Sequence, residues 1–129
     1  MNRLTDDTFL YRAITKKQWI DTDKDINEKA FTLRPSKTGQ GFEKGLSCDL
    51  NPDQCYPHLN KCFGIIKLSV KNIRDLGLDV DNDHDTHVNI INLPDPDLEK
   101  QKYKDTLVKL AKKAILYKDW LDNPYKKNK

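Results

Sequence analysis

The stretch LDVDNDHDTHVNI, Leu78 to Ile90, concentrates four aspartates and two histidines in thirteen residues. Asp79, Asp81 and Asp83 carry the alternating rhythm that lets oxygens converge on a hard cation. A helix–loop–helix calcium site also needs glycine at its sixth position and a bidentate glutamate at its twelfth. Counted from Asp79 those positions hold His84 and Ile90; counted from Asp81 they hold Thr86 and Asn92. Both frames fail, so Asp79 to Asp85 reads as a solvated acidic turn, where Asp and Asn serve local hydrogen bonding. Cys48, Cys55, His58 and Cys62 offer softer ligands, but only Cys55 and His58 have the close spacing of a structural zinc pair. No residue set is assigned to a metal, and the cysteines read as small buried hydrophobes.

His87 and Asn89 carry more chemistry. In an extended THVNIIN segment they share one face with Ile91, while Val88 and Ile90 take the other. A His beside an Asn presents a general base or a donor–acceptor pair to a ligand, so these two are the candidate catalytic residues. The alternative is that His87 hydrogen-bonds a neighbouring backbone group. Arg12 stands between apolar and aromatic neighbours, where it either clamps a phosphate or carboxylate or forms an internal salt bridge, with Asp49 as a candidate partner. Arg34 and Ser47 complete the candidate ligand-binding set. No phosphate-binding loop, dinucleotide fingerprint, nucleophile elbow or zinc-protease motif is present.

The elements that must position these residues can be read from patterning. TFLYRAI, Thr8 to Ile14, is a strand by its β-branched and aromatic content, and Thr15 then offers an N-cap for a short helix carrying Trp19. AFTLR, Ala30 to Arg34, reads as a second short strand stopped by Pro35, followed by the glycine-rich loop SKTGQGFEKG. GLSCDL alternates as a half-buried strand, and NPDQCYPHLNKC is a proline-punctuated loop. GIIKLSV, Gly64 to Val70, is the clearest strand; KNIRDLG is a short helix ended by Gly77. Tyr103, Leu107, Leu110, Ala111, Ala114 and Leu121 recur at helical spacing between Leu93 and Pro124, with acids early and lysines late, as one long C-terminal helix. The sum is an α+β domain: a mostly antiparallel sheet of five or six short strands, short helices and that long helix.

At 129 residues the chain makes one domain, with a core over about residues 8–121 and residues 122–129 as a flexible tail. Its composition, 36% hydrophobic and 33% charged, is polar but globular. The formal charge of +3 is dispersed among acids, and the excess at Lys126, Lys127 and Lys129 lies in the tail, which argues against a nucleic-acid partner. MNRLTDDTFLYR has no apolar core of a signal peptide, and no run approaches the ~18 apolar residues that span a bilayer. With three cysteines, these features point to a reducing cytoplasm and away from a membrane.

The order LYRAI, AFTLR, GLSC, GIIKLSV, IRDLGLDV and THVNIIN resembles a group of small bacterial proteins without assigned activity, over roughly residues 9–94. More remotely, the chain is similar to ADP-ribosyltransferase-like domains. That resemblance implies an NAD-binding site, with Arg12 toward the dinucleotide phosphates and Ser47 on the nicotinamide side. Such domains also carry a later Glu; none lies near THVNIIN, so His87 or Asn89 would stand in its place. Similar folds include RNA 2′-phosphate-removing enzymes that use Arg and His without that Glu. Two functions follow as expectations. The first is a nucleotide- or NAD-binding domain, with Arg12 on phosphate and His87 as acid or base. The alternative is a non-catalytic module that binds a protein partner in a bacterial toxin–antitoxin or defence system.

Overall fold

The computed structural model describes residues 3–39 and 41–127. Lys129 of the basic tail and Gln40 of the glycine-rich loop lie outside the described residues. The fold is α+β. Its sheet is built from β1 (Phe9–Ile14), β2 (Gly45–Asp49), β4 (Gly64–Ser69), β5 (Asp79–His84), β6 (His87–Ile91) and β7 (Ile115–Asp119). The strands lie in the order β5-β6-β2-β1-β4-β7, and every pairing is antiparallel. A two-stranded ribbon joins β3 (Lys61–Cys62) to β8 (Tyr125–Lys126). Among the described residues there are also two α-helices, α1 (Val70–Asp75) and α2 (Lys100–Lys113), and two short 3-10 turns. No helix among the described residues is long and apolar enough to cross a membrane.

Alternation decides which face is dry. Leu10 and Ile14 of β1, Ile66 and Leu68 of β4, and Val88 and Ile90 of β6 all point into one core. Leu107, Leu110 and Ala111 of α2 close over it, so the apolar stripe of that helix is covered by its own domain. Ser69 ends β4 and caps α1 by accepting a hydrogen bond from the Asn72 N–H at 3.0 Å, and Gly77 takes the left-handed conformation just beyond that helix.

Five expectations need correction. Ala30–Arg34 is not a strand. Asn27 accepts the Lys29 N–H at 2.9 Å and starts a 3-10 turn, Glu28–Phe31, after which the chain runs as loop. The turn drives Ala30 and Phe31 into the core, and packing overrides the β-propensity of AFTL. Trp19 also ends a 3-10 turn, Lys17–Trp19, but the flanking residue is Lys16 and no side chain caps it.

The long helix ends early, at Lys113. Ala114 is extended, and Ile115–Asp119 leaves the helix to pair with the free edge of β4. Edge hydrogen bonds and the β-branched and aromatic run outweigh a periodicity that Leu121 continued by coincidence. A Cβ on Gly64 would stand 2.5 Å from the Lys118 carbonyl oxygen, so this close approach requires glycine.

The acidic segment is a strand, not a turn. Asp79–His84 forms the sheet's outer edge, and the turn is confined to Asp85 and Thr86, with Asp85 at φ 46°. Its charges discourage further strand addition at that edge. Asp79 is committed elsewhere, accepting from Arg74 at 3.0 Å and Arg3 at 3.1 Å. The Val80 N–H, and then Arg74, hold its pKa below the usual carboxylate value. Finally, part of the expected tail is ordered: Tyr125 and Lys126 pair with β3, and Tyr125 packs edge-on against Tyr56 at 4.8 Å.

Phe31 is the largest fully buried side chain and anchors the 3-10 turn to the sheet. Phe31→Ala is expected to cost about 3–5 kcal/mol in urea unfolding. A loss below about 1 kcal/mol would mean that the turn does not depend on this anchor.

Candidate functional site

The sheet is not uniformly zipped. β1 pairs with β4 along all six residues, and β2 with β6 along all five, but β1 and β2 share one register pair, Tyr11 with Asp49. Arg12 occupies the opening. It lies on the inward face between Leu10 and Ile14, where an aliphatic residue would complete the pattern. Its Nε donates to the Ala30 carbonyl at 2.9 Å and its Nη1 to the Ser47 carbonyl at 2.6 Å. The guanidinium thus bonds a β2 carbonyl where a β1 N–H would stand in a closed ladder, and it ties the 3-10 turn to both strands. The salt bridge with Asp49 does not form; Asp49 is buried and accepts the Asn51 N–H at 2.8 Å instead.

Arg12 is therefore a partly buried cation paired with carbonyls only. Among the described residues no carboxylate forms an ion pair with it, and its remaining N–H donors have no protein acceptor. Burial depresses its pKa, an effect that Cys48 opposes and Arg34 reinforces. Even so, a guanidinium keeps its proton in a protein, so the charge persists.

The opening leads into a cavity of about 550 Å³. Arg12, Lys16, Lys29 and Arg34 line it against a single carboxylate, Asp49, with His58 and His87 as further ring donors. Trp19 contributes an aromatic wall, with the Lys16 ammonium 5.8 Å from the ring centre. Arg34 is largely exposed and pairs with Glu43 at 3.3 Å, so it sits at the rim, partly neutralised. Such a surface favours an anion beside a flat, apolar group.

Of the five residues that the sequence singles out, Arg12, Arg34, Ser47 and His87 line this cavity. Asn89 does not; it lines a shallower groove with Asp81 and Asp83. His87 and Asn89 do share a face, and Asp83 joins them. Asp83 Oδ1 lies 2.5 Å from His87 Nδ1, and Asn89 Nδ2 donates to Asp83 Oδ2 at 3.1 Å. The hydrogen bond from His87 holds the Asp83 pKa below the usual carboxylate value. With Nδ1 facing a carboxylate, Nε2 is the ring nitrogen left for other chemistry. Sequence reasoning takes Asp83 as part of an acidic turn and Trp19 as a residue of a short helix, and gives Lys16 and Lys29 no role. The basic and aromatic run KKQW, directly after the strand carrying Arg12, was the available signal.

The three cysteines are free and buried. Cys55 Sγ donates to the Pro52 carbonyl at 3.3 Å and Cys62 Sγ to that of Gly64 at 3.0 Å. Burial pushes Cys48 up to about 11, against the attraction of Arg12, and Cys55 up to about 12. Neither is a thiolate at neutral pH, so neither is an activated nucleophile. Family models, curated proteins and solved structures give no match to the chain.

The raised thiol pKa values have a consequence at alkaline pH. Their contribution to stability is complete below the unfolded thiol pKa of 9.0, and it is lost as pH rises toward about 11 and about 12. The unfolded chain releases these protons first, so stability falls with pH in that window. Urea midpoints measured between about pH 8 and pH 11 should therefore decline less steeply for Cys48→Ala and Cys55→Ala than for the parent. Equal slopes would show that the thiols are not held neutral by the fold.

Proposed function

We propose that the domain binds a nucleotide or NAD-like ligand in the Arg12 cavity, with the phosphate on Arg12 and the base or nicotinamide ring against Trp19. The observation that carries this reading is the Arg12 guanidinium, partly buried, bonded to two carbonyls and, among the described residues, without a carboxylate partner. A phosphate would supply the missing counter-charge and accept the spare donors in the planar geometry that guanidinium favours. Lys16, Lys29 and Arg34 add attraction at the entrance. The volume of about 550 Å³ falls in the usual range for small-ligand sites.

Transfer chemistry of the ADP-ribosyltransferase kind would need a polar group in place of the family's glutamate. Of His87 and Asn89, His87 is the one that lines the cavity. Ser47 is exposed at the same wall, as a nicotinamide-side residue would be. The alternative, a protein-interaction module, drew on the amphipathic C-terminal helix; the apolar face of α2 is already covered by the core.

Thermal-shift and equilibrium-binding measurements with ADP, ATP and NAD test the proposal, because a ligand of the native state raises its stability by about 2.7 kcal/mol at one hundred times Kd. Arg12→Ala should weaken binding about tenfold or more, the loss of a charge-assisted contact. That variant also loses two structural hydrogen bonds, so Lys16→Ala and Arg34→Ala, at exposed positions, provide the control. Each should weaken binding several-fold with unchanged melting temperature. No binding of any nucleotide by the parent, or affinity unaltered in all three variants, contradicts the proposal.

A further inference from the structure

We propose that the β5–β6 hairpin is a zinc-class metal site, formed by Asp83, His84 and His87. This goes beyond the ligand reading of the Arg12 cavity and does not rest on it. His84 and His87 face each other as a cross-strand pair on either side of the two-residue turn. Opposed residues in a hairpin hold their Cβ atoms about 5 Å apart on the same side. Accordingly the two imidazoles stack, with ring centres 4.8 Å apart and planes inclined by 18°. Asp83 Oδ1 is hydrogen-bonded to His87 Nδ1 at 2.5 Å and lies 3.2 Å from His84 Nδ1. The ligand atoms of the three residues all lie within 4.8 Å of one another. Donors around a tetrahedral ion with bonds of ~2.1 Å stand ~3.4 Å apart, so the three are close enough to share an ion once the two rings turn out of their stack to aim both Nδ1 atoms at it.

The surroundings hold the ligands in place. Asn89 donates to the second oxygen of Asp83 at 3.1 Å, leaving Oδ1 for the imidazoles. Asn82 Nδ2 donates to the Asp85 carbonyl at 3.1 Å and the His87 carbonyl at 2.7 Å, which fixes the turn that sets the two histidines in register. Outer hydrogen bonds of this kind orient ligands and raise affinity at metal centres. The donor set, two imidazoles and one carboxylate, suits zinc and its neighbours rather than calcium, which takes six to eight oxygens. The cysteine-based alternative does not assemble: among the described residues no other three His, Cys, Asp or Glu side chains converge in this way. Three protein ligands leave one tetrahedral position open, the coordination of catalytic rather than structural zinc.

The test uses the full chain without an affinity tag, stripped with a chelator. Cobalt(II) is titrated as a visible probe and displaced by zinc(II), with calorimetry for stoichiometry. One equivalent should bind, with ligand-field absorption of a nitrogen- and oxygen-bound ion. His84→Ala, exposed and outside the core, should weaken binding at least tenfold while circular dichroism stays unchanged; Asp83→Asn should do the same. Lys16→Ala should leave metal binding intact even where it weakens nucleotide binding, which separates the two readings. Absence of saturable binding, equal affinity in the Asp83 and His84 variants, or a thiolate-to-cobalt band pointing to the cysteines would each overturn the proposal.

Discussion

The contact on which the architecture turns is the fork of Arg12, bonded through Nε to Ala30 and through Nη1 to Ser47. It joins three segments distant in sequence: β1, the 3-10 turn around Ala30, and β2. An inward aliphatic residue at position 12 would leave the part-buried Ala30 carbonyl and the more exposed Ser47 carbonyl to find other donors, and a buried backbone bond left unmade costs more than a made one gains. The fork supplies those donors and in doing so holds β1 and β2 apart. Tyr103 of α2 reinforces the arrangement from the other side, its hydroxyl accepting the Leu33 N–H at 2.8 Å. The segment that roofs the cavity is thus pinned at Ala30 by the sheet and at Leu33 by the helix.

This tie carries a charge into a place where desolvation disfavours it. Carbonyl dipoles satisfy its geometry but not its charge, and burial accordingly lowers the Arg12 pKa. Internal arginines that serve only architecture are commonly paired with a carboxylate, because an unpaired buried ion is costly. Here the nearest candidate, Asp49, turns its carboxylate to the Asn51 backbone. The fold therefore maintains a cation, unmatched by a carboxylate among the described residues, at the head of a cavity that Lys16, Lys29 and Arg34 also line. In the proposed reading, that combination links the architecture to anion recognition: the residue that opens the sheet is the residue that an anion would neutralise.

The sequence made some of this legible and hid the rest for physical reasons. Strands with clean alternation, such as GIIKLSV and GLSCDL, are readable because one face carries a regular row of buried apolar residues, although Ile65 and Asp49 are buried on the other face. Arg12 stood out because a charge interrupted such a pattern, and the structure shows the interruption as a gap between strands. AFTLR misled because local propensity is weak against the burial of Phe31. Ile115–Asp119 misled because helical spacing continued past the point where the edge of β4 claimed the chain. The role of Asp83 was hidden for a different reason. Hairpin register, not spacing along the chain, brings it against His87 and His84, and an irregularity in that register between Asp81 and His84 was not encoded in any recognisable motif. Asn89 was correctly placed on the face of His87, yet that face is divided between two hollows.

The central claim, that Arg12 combines a structural tie with an anion-binding function, is tested most directly by nuclear magnetic resonance of the arginine side-chain N–H groups during titration with ADP. The chain has four arginines, Arg3, Arg12, Arg34 and Arg74, so the signals are few enough to assign by single substitutions. Arg12 Nε–H should exchange slowly with solvent before any ligand is added, because it is bonded to Ala30, and the Arg12 signals should shift saturably as ADP binds. Those of Arg74, held by Asp6 and Asp79 and not lining the cavity, should stay fixed. Arg12 signals that exchange rapidly in the free protein, or that remain in place while nucleotide saturates the protein, would contradict the account.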